Sequence, residues 1–169
     1  MRVIVNFVGF QIGWFACVLG AAYGKPWVGP LVVLFLFLVH LALSGEKPRE
    51  AALALAAMFI GFAFDSLLIA AGTFFPARDF FPAPLSSLWL MAMWVNFALL
   101  LNVSLRWLKG RYSLGPALGF IGGPMAYYAG ARLGAIRIPE PLAFNLFILG
   151  AAWALAVPFL FWISGKKSR

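Results

Sequence analysis

The stretch Ala51-Ala-Leu-Ala-Leu-Ala-Ala-Met-Phe-Ile-Gly-Phe-Ala-Phe-Asp65-Ser-Leu-Leu-Ile-Ala-Ala-Gly-Thr-Phe-Phe75 decides the fold class. It is apolar over a length that a helix needs to cross the ~30 Å hydrocarbon core of a bilayer, at ~1.5 Å per residue. One carboxylate, Asp65, interrupts it near the centre. An ionisable side chain at that depth costs about 2.5 to 3.5 kcal/mol on insertion scales, so it faces a protein interior or a cavity and has a partner or a task.

Working outward, five more apolar segments appear: Val3 to Tyr23, Trp27 to Leu43, Leu85 to Trp107, Leu114 to Leu133 and Pro141 to Ile163. Each ends in Gly, Pro or charge, as at Gly24-Lys-Pro and Ser44-Gly-Glu-Lys-Pro-Arg-Glu. The composition agrees: 64% of the 169 residues are hydrophobic and 11% charged, against about 25% charged in an ordinary soluble domain. The expectation is an all-α polytopic membrane helix bundle of about six transmembrane helices, one domain over residues 1–169. Met1 to Gly24 is read as a retained helix rather than a signal peptide, because Asn6 and Gln11 interrupt its apolar core and further spans follow.

Cations give the orientation. Arg2, Lys47, Arg49, Arg106, Lys109, Arg111, Lys166, Lys167 and Arg169 fall on one side, and Lys25, Arg78, Arg132 and Arg137 on the other. The positive-inside rule then predicts both termini in the cytoplasm. Trp27 and Trp89 are expected near the outer interface, with Trp107, Tyr112 and Trp162 near the inner one. The Phe- and Pro-rich segment Phe74 to Pro84 is expected to lie in the outer interface. The basic excess forms no stripe with interleaved aromatics, so no nucleic acid is expected as a partner.

Small residues recur at helical spacing. Asn6, Gly9, Gly13, Cys17, Gly20 and Gly24 share a face of the first span, and Gly115, Gly119 and Gly123 a face of the fifth. In lipid such stripes allow close helix packing. Cys17, the sole cysteine, is read as part of that packing. A Gly122-Gly123-Pro124 run in mid-membrane predicts a break in the fifth helix, with carbonyls freed toward a cavity.

The polar residues fall in two layers. Asp65, Gln11 and Asn96 lie at similar depth, while Asn6, His40, Asn102 and Ser104 lie in the cytoplasmic half; Tyr127, Tyr128 and Asn145 extend the path outward. The candidate ligand-binding residues are therefore Asp65, Asn96, Gln11, Asn102, His40, Ser66 and Tyr127, with Asn96, Gln11 or Ser66 as hydrogen-bond partners of Asp65. One histidine excludes a bis-histidine haem, and every lysine sits at a span end, which excludes a buried Schiff base. No metal-ligand spacing and no phosphate-binding loop occur, so neither metal nor cofactor is expected.

Four readings stay open. The leading one is binding of a lipid or other apolar small molecule around Asp65; the others are lipid modification with Asp65 as acid or base, proton-linked transport, and an assembly role. For Asp65 itself the plain alternative is a structural hydrogen bond joining the third and fourth helices.

Five blocks carry a resemblance: Asn6-x4-Gln11-x2-Trp14, Phe64-Asp65-Ser66-Leu67-Leu68, Trp89-x4-Trp94-x-Asn96-Phe97, Leu101-Asn102-x-Ser104-Leu105-x-Trp107 and Gly122-Gly123-Pro124-x2-Tyr127-x2-Gly130. In this order the chain resembles the small bacterial inner-membrane proteins grouped as domain of unknown function 2878. The resemblance implies a multi-pass protein of the bacterial inner membrane with Asp65, Asn96 and Asn102 as its interior site. It implies no catalytic residue.

Overall fold

The computed structural model describes residues 2–77, 81–111 and 113–165. Arg78, Tyr112, Lys166, Lys167, Arg169 and the side chain of Arg2, on which part of the expected orientation falls, lie outside the described residues. The element order is α1 (Arg2–Ala22), α2 (Val28–Leu43), α3 (Lys47–Ala70), β1 (Phe75–Pro76), α4 (Leu88–Leu101), a 3-10 turn (Arg106–Leu108), α5 (Leu114–Arg132), β2 (Ile136–Arg137) and α6 (Leu142–Gly165). Three helical segments, Val3–Ala22, Lys47–Ala70 and Leu142–Gly165, are long and apolar enough to cross a membrane; α2 and α4 are apolar but shorter.

α4 is the central post. Its Trp89, Leu90, Trp94, Asn96 and Leu99 to Leu101 are all buried. It packs on α1, α2 and α3, while α5 and α6 form a tightly packed hairpin that reaches α3 and α4 through α6. The outer surface is apolar, with Leu34, Phe59, Leu67, Ile121, Phe147 and Leu155 each at least half exposed. A surface of this kind is poorly matched to water and compatible with a lipid surrounding.

The helix ends correct two expectations. α3 stops at Ala70, where Gly72 (φ +73°) closes a Schellman motif with Thr73 N–H donating to Leu68 O and Gly72 N–H to Ile69 O. Thr73 and Phe74 then turn inward and are fully buried, so Phe74 is core rather than outer interface. α5 ends the same way at Gly134 (φ +86°), with Ala135 N–H donating to Gly130 O. These two matched ends deliver β1 and β2 to one another as an antiparallel pair, Phe75 opposite Arg137 and Pro76 opposite Ile136.

α4 likewise stops at Leu101, short of the expected Trp107. Beyond this end Asn102 Nδ2 donates to Glu50 Oε1 (2.8 Å) and Ser104 Oγ to Asn6 Oδ1 (2.6 Å), tying the segment to α3 and α1. At its other end Trp89 is 2% exposed, a core residue and not a headgroup-facing ring.

The glycine stripes pack helices. A Cβ at Gly13 would lie 2.6 Å from Asn96 Oδ1, and one at Gly29 of α2 2.5 Å from Cys17 Cα. Cys17 is thus a small buried contact, as expected. In α5, Gly119 lies against the Trp153 carbonyl and Gly123 against the Trp153 ring, at 2.2 and 2.4 Å from the hypothetical Cβ. The expected break at Pro124 does not occur. α5 runs through it as one helix, and the carbonyl of Phe120, which Pro124 deprives of its usual N–H donor, faces Gly150 of α6.

Candidate functional site

Asp65 sits on the buried face of α3, one turn after Gly61 and one before Ile69. Its carboxylate accepts from two rings. Trp94 Nε1 on α4 donates to Oδ2 at 2.8 Å, and the Tyr127 hydroxyl on α5 donates to Oδ1. The room for this is made by Gly61, whose hypothetical Cβ would lie 2.0 Å from Trp94 Cγ. The indole therefore lies flat on the α3 backbone and reaches the carboxylate four residues on.

Trp94 in turn stacks on Trp153 of α6, ring centroids 4.7 Å apart and planes 16° from parallel. Phe64 meets both indoles edge-on, at 4.9 and 5.7 Å, and Phe74 meets Tyr127 at 4.9 Å. Asp65 is thereby the polar anchor of an aromatic cluster drawn from α3, α4, α5 and α6. The carboxylate has no exposed surface. A general acid or base must come within hydrogen-bond reach of its substrate, and here both oxygens are already engaged by buried donors.

The partners expected of Asp65 are elsewhere. Asn96 Nδ2 donates to Phe10 O at 2.9 Å, tying α4 to α1, and Ser66 Oγ accepts from Ser86 N–H at 2.9 Å. Gln11 is exposed along α1. Asn145 caps its own segment through Pro139 O and Pro141 O, and Tyr128 faces outward. Of the seven candidate residues, only Tyr127 joins Asp65.

His40 and Asn102 do meet, through Glu50. His40 Nε2 lies 3.1 Å from Glu50 Oε2, Asn102 Nδ2 donates to Glu50 Oε1 at 2.8 Å, and Lys109 Nζ donates to Asn102 Oδ1 at 2.5 Å. This second polar cluster joins α2, α3 and α4 at the far end of the bundle from Asp65. Glu50 is 7% exposed, and its burial is matched by the hydrogen bonds that both oxygens receive. Among the described residues no group of three or more His, Cys, Asp or Glu is placed to hold a metal ion.

Over the aromatic cluster lies a groove of about 540 Å³. One wall is α1, with Phe7, Phe10, Gln11, Trp14, Phe15 and Val18; the other is α5, with Leu118, Gly122, Met125, Ala126, Tyr127 and Gly130. α4 supplies the floor through Trp89, Leu90, Met93, Trp94 and Phe97. Asp65 lies at its base, sealed by the rings it holds. Gly122 faces the groove alone among the central α5 glycines in having nothing within 4 Å of a hypothetical Cβ. Trp94, Trp153 and Glu50 are the site residues that sequence reading missed, since indoles count as apolar in a hydropathy scan and Glu50 reads as a loop charge.

A family model described as protein of unknown function, DUF2878, matches residues 3–159. No curated protein and no solved structure matches the chain.

Proposed function

The chain belongs to the family of proteins of unknown function DUF2878, and from its geometry we propose that it binds a lipid or other apolar small molecule in the lateral groove between α1 and α5. In this reading it is a multi-pass protein of the bacterial inner membrane, with six membrane helices and both termini cytoplasmic. α2 and α4 are shorter than a full span, but α4 is enclosed by other helices, and irregular backbone at its ends is tolerated where protein rather than lipid surrounds it.

The observation that carries the reading is the groove itself. Its volume is within the range of small-molecule sites, its lining is aromatic and aliphatic, and it lies between two helices that each pack elsewhere. Along α1 it extends from Phe7 to Val18, about 16 Å of helix at ~1.5 Å per residue, the direction an acyl or prenyl chain takes in a bilayer. Asp65 serves by position: it fixes Trp94 and Tyr127 so that the groove is preformed. That role supports ligand binding over acid–base chemistry at Asp65, because a ligand in the groove meets the rings and not the carboxylate.

Gly122→Phe tests it. The new ring has open space before it, so the fold is expected to survive while the groove fills. Native mass spectrometry of protein purified in mild detergent should show lipid on the wild type and a loss of it in the variant. Undiminished lipid on a folded Gly122→Phe would overturn the groove as the binding site.

A further inference from the structure

A second cavity, of about 470 Å³, is lined by residues next in sequence to those of the groove. The two follow one another along the same elements. Gly119 and Val157 line the groove, Gly115 and Pro158 line the second cavity, and Leu105 and Leu108 divide in the same way. Gly115 and Gly119 are one helical turn apart on one face of α5. The walls are Pro116, Pro158, Phe161 and Trp162, and the charged residues at its mouth are Lys109 and Arg111. Among the described residues no carboxylate lines it, while Glu50 and Glu46 act on Lys109 from outside it.

Both cations are held by uncharged partners. Arg111 places its guanidinium 5.3 Å from the ring centre of Trp107, and Lys109 donates to Asn102. The ion pairs among the described residues are His40 with Glu50 and Arg49 with Glu46, so neither positive charge is spent on a carboxylate in direct contact. The first turn of α5, which begins at Leu114, adds the positive end of its dipole beside Gly115 and Pro116. Burial, and next the Arg49 guanidinium, hold the Lys109 ammonium below the usual lysine range. An anion at this place would relieve that strain.

Resting on the groove reading, we infer that the ligand is an anionic phospholipid, its headgroup seated between Lys109 and Arg111 and one chain lying in the groove above Trp94 and Trp153. The apolar walls and the neighbouring groove favour a lipid phosphate over free phosphate. Arginine binds phosphate oxygens through two parallel N–H donors, and lysine supplies a point charge beside it. Basic pockets at helix ends on the cytoplasmic side are suited to such headgroups.

The experiment is lipid retention by the full-length protein in detergent, offered phosphatidylglycerol and phosphatidylcholine with identical chains, with inorganic phosphate as a competitor. The wild type should retain phosphatidylglycerol about tenfold better, and Lys109→Gln with Arg111→Gln should bring the two lipids to near parity while keeping chain binding. Equal retention by the wild type, or a preference that survives in the double variant, overturns the headgroup assignment and leaves the groove reading standing. Displacement of phosphatidylglycerol by inorganic phosphate overturns the lipid as its source. Failure to retain either lipid removes the groove reading and this inference together.

Discussion

The indoles of Trp94 and Trp153 lie stacked between two glycines, Gly61 of α3 behind the first and Gly123 of α5 behind the second. Four helices meet in that sandwich. Aromatic pairs add about 0.5 to 1.5 kcal/mol beyond the area they bury, but only while the rings can approach. The glycines permit the approach, and Asp65 fixes the orientation through Trp94 Nε1.

Gly61→Ala is therefore expected to be costly. Its methyl group would overlap the Trp94 ring, and overpacking of this kind costs about 1 to 3 kcal/mol. Gly122→Ala, with open space before it, should be neutral or mildly stabilising, because alanine favours helix over glycine by up to about 1 kcal/mol. Thermal unfolding of both variants in one detergent checks the contrast. Equal midpoints would show that Trp94 does not rest on α3.

Asp65→Leu leaves the buried Trp94 N–H and Tyr127 O–H without acceptors. Each orphaned group costs about 1 to 3 kcal/mol, so the variant should unfold well below the wild type, with Tyr127→Phe falling between them. A double-mutant cycle should find the two positions coupled. An Asp65→Leu protein more stable than the wild type would identify Asp65 as a strained functional group instead of an anchor.

How far the sequence could be read is clearest at Asp65. Its link between α3 and α4 was one of the roles left open for it, and its burial follows from one carboxylate in an apolar run. Its partners do not, because Asn96 and Gln11 are the polar residues at matching depth, whereas the actual donors belong to rings that a hydropathy reading treats as apolar. The helix positions were legible to within a few residues, except where Thr73 and Phe74 continue the apolar run past the turn at Gly72 and where α4 stops at Leu101, short of Trp107. Apolarity reports burial in lipid or protein alike and so cannot mark where a helix gives way to a tucked-in loop. At Gly122-Gly123-Pro124 the signals of a break are real, but packing of Gly119 and Gly123 on Trp153 holds α5 in one piece.

The Glu50 cluster should matter for stability in a way that the neighbouring surface pair does not. Glu50→Ala removes the acceptor shared by His40 and Asn102 and leaves their polar groups partly buried without it, whereas Glu46 and Arg49 form an exposed i, i+3 pair worth about 0 to 1 kcal/mol. Glu50→Ala is expected to lower the unfolding midpoint by several degrees and Glu46→Ala to leave it nearly unchanged. Similar effects of the two would show that Glu50 is not a tie between α2, α3 and α4.

Lys109 offers a pH-dependent readout. Burial and Arg49 disfavour its charged form, so without an anionic ligand it should titrate below an ordinary lysine. A neighbouring anion favours the charged form, and the pKa should therefore rise when phosphatidylglycerol is added and stay put with phosphatidylcholine. Carbon NMR of reductively methylated protein follows the titration. The same rise with both lipids would argue against a headgroup at Lys109.

The central claim is that the cleft between α1 and α5 holds a lipid chain, and photo-crosslinking with a phospholipid carrying a diazirine in its acyl chain tests it most directly. Peptide mapping should place the adducts on groove residues such as Phe7, Trp14, Met93 and Met125, and Gly122→Phe should abolish them. Adducts spread evenly over the outward faces, on Leu34, Phe59, Phe147 and Leu155 as much as on the groove, would contradict the account.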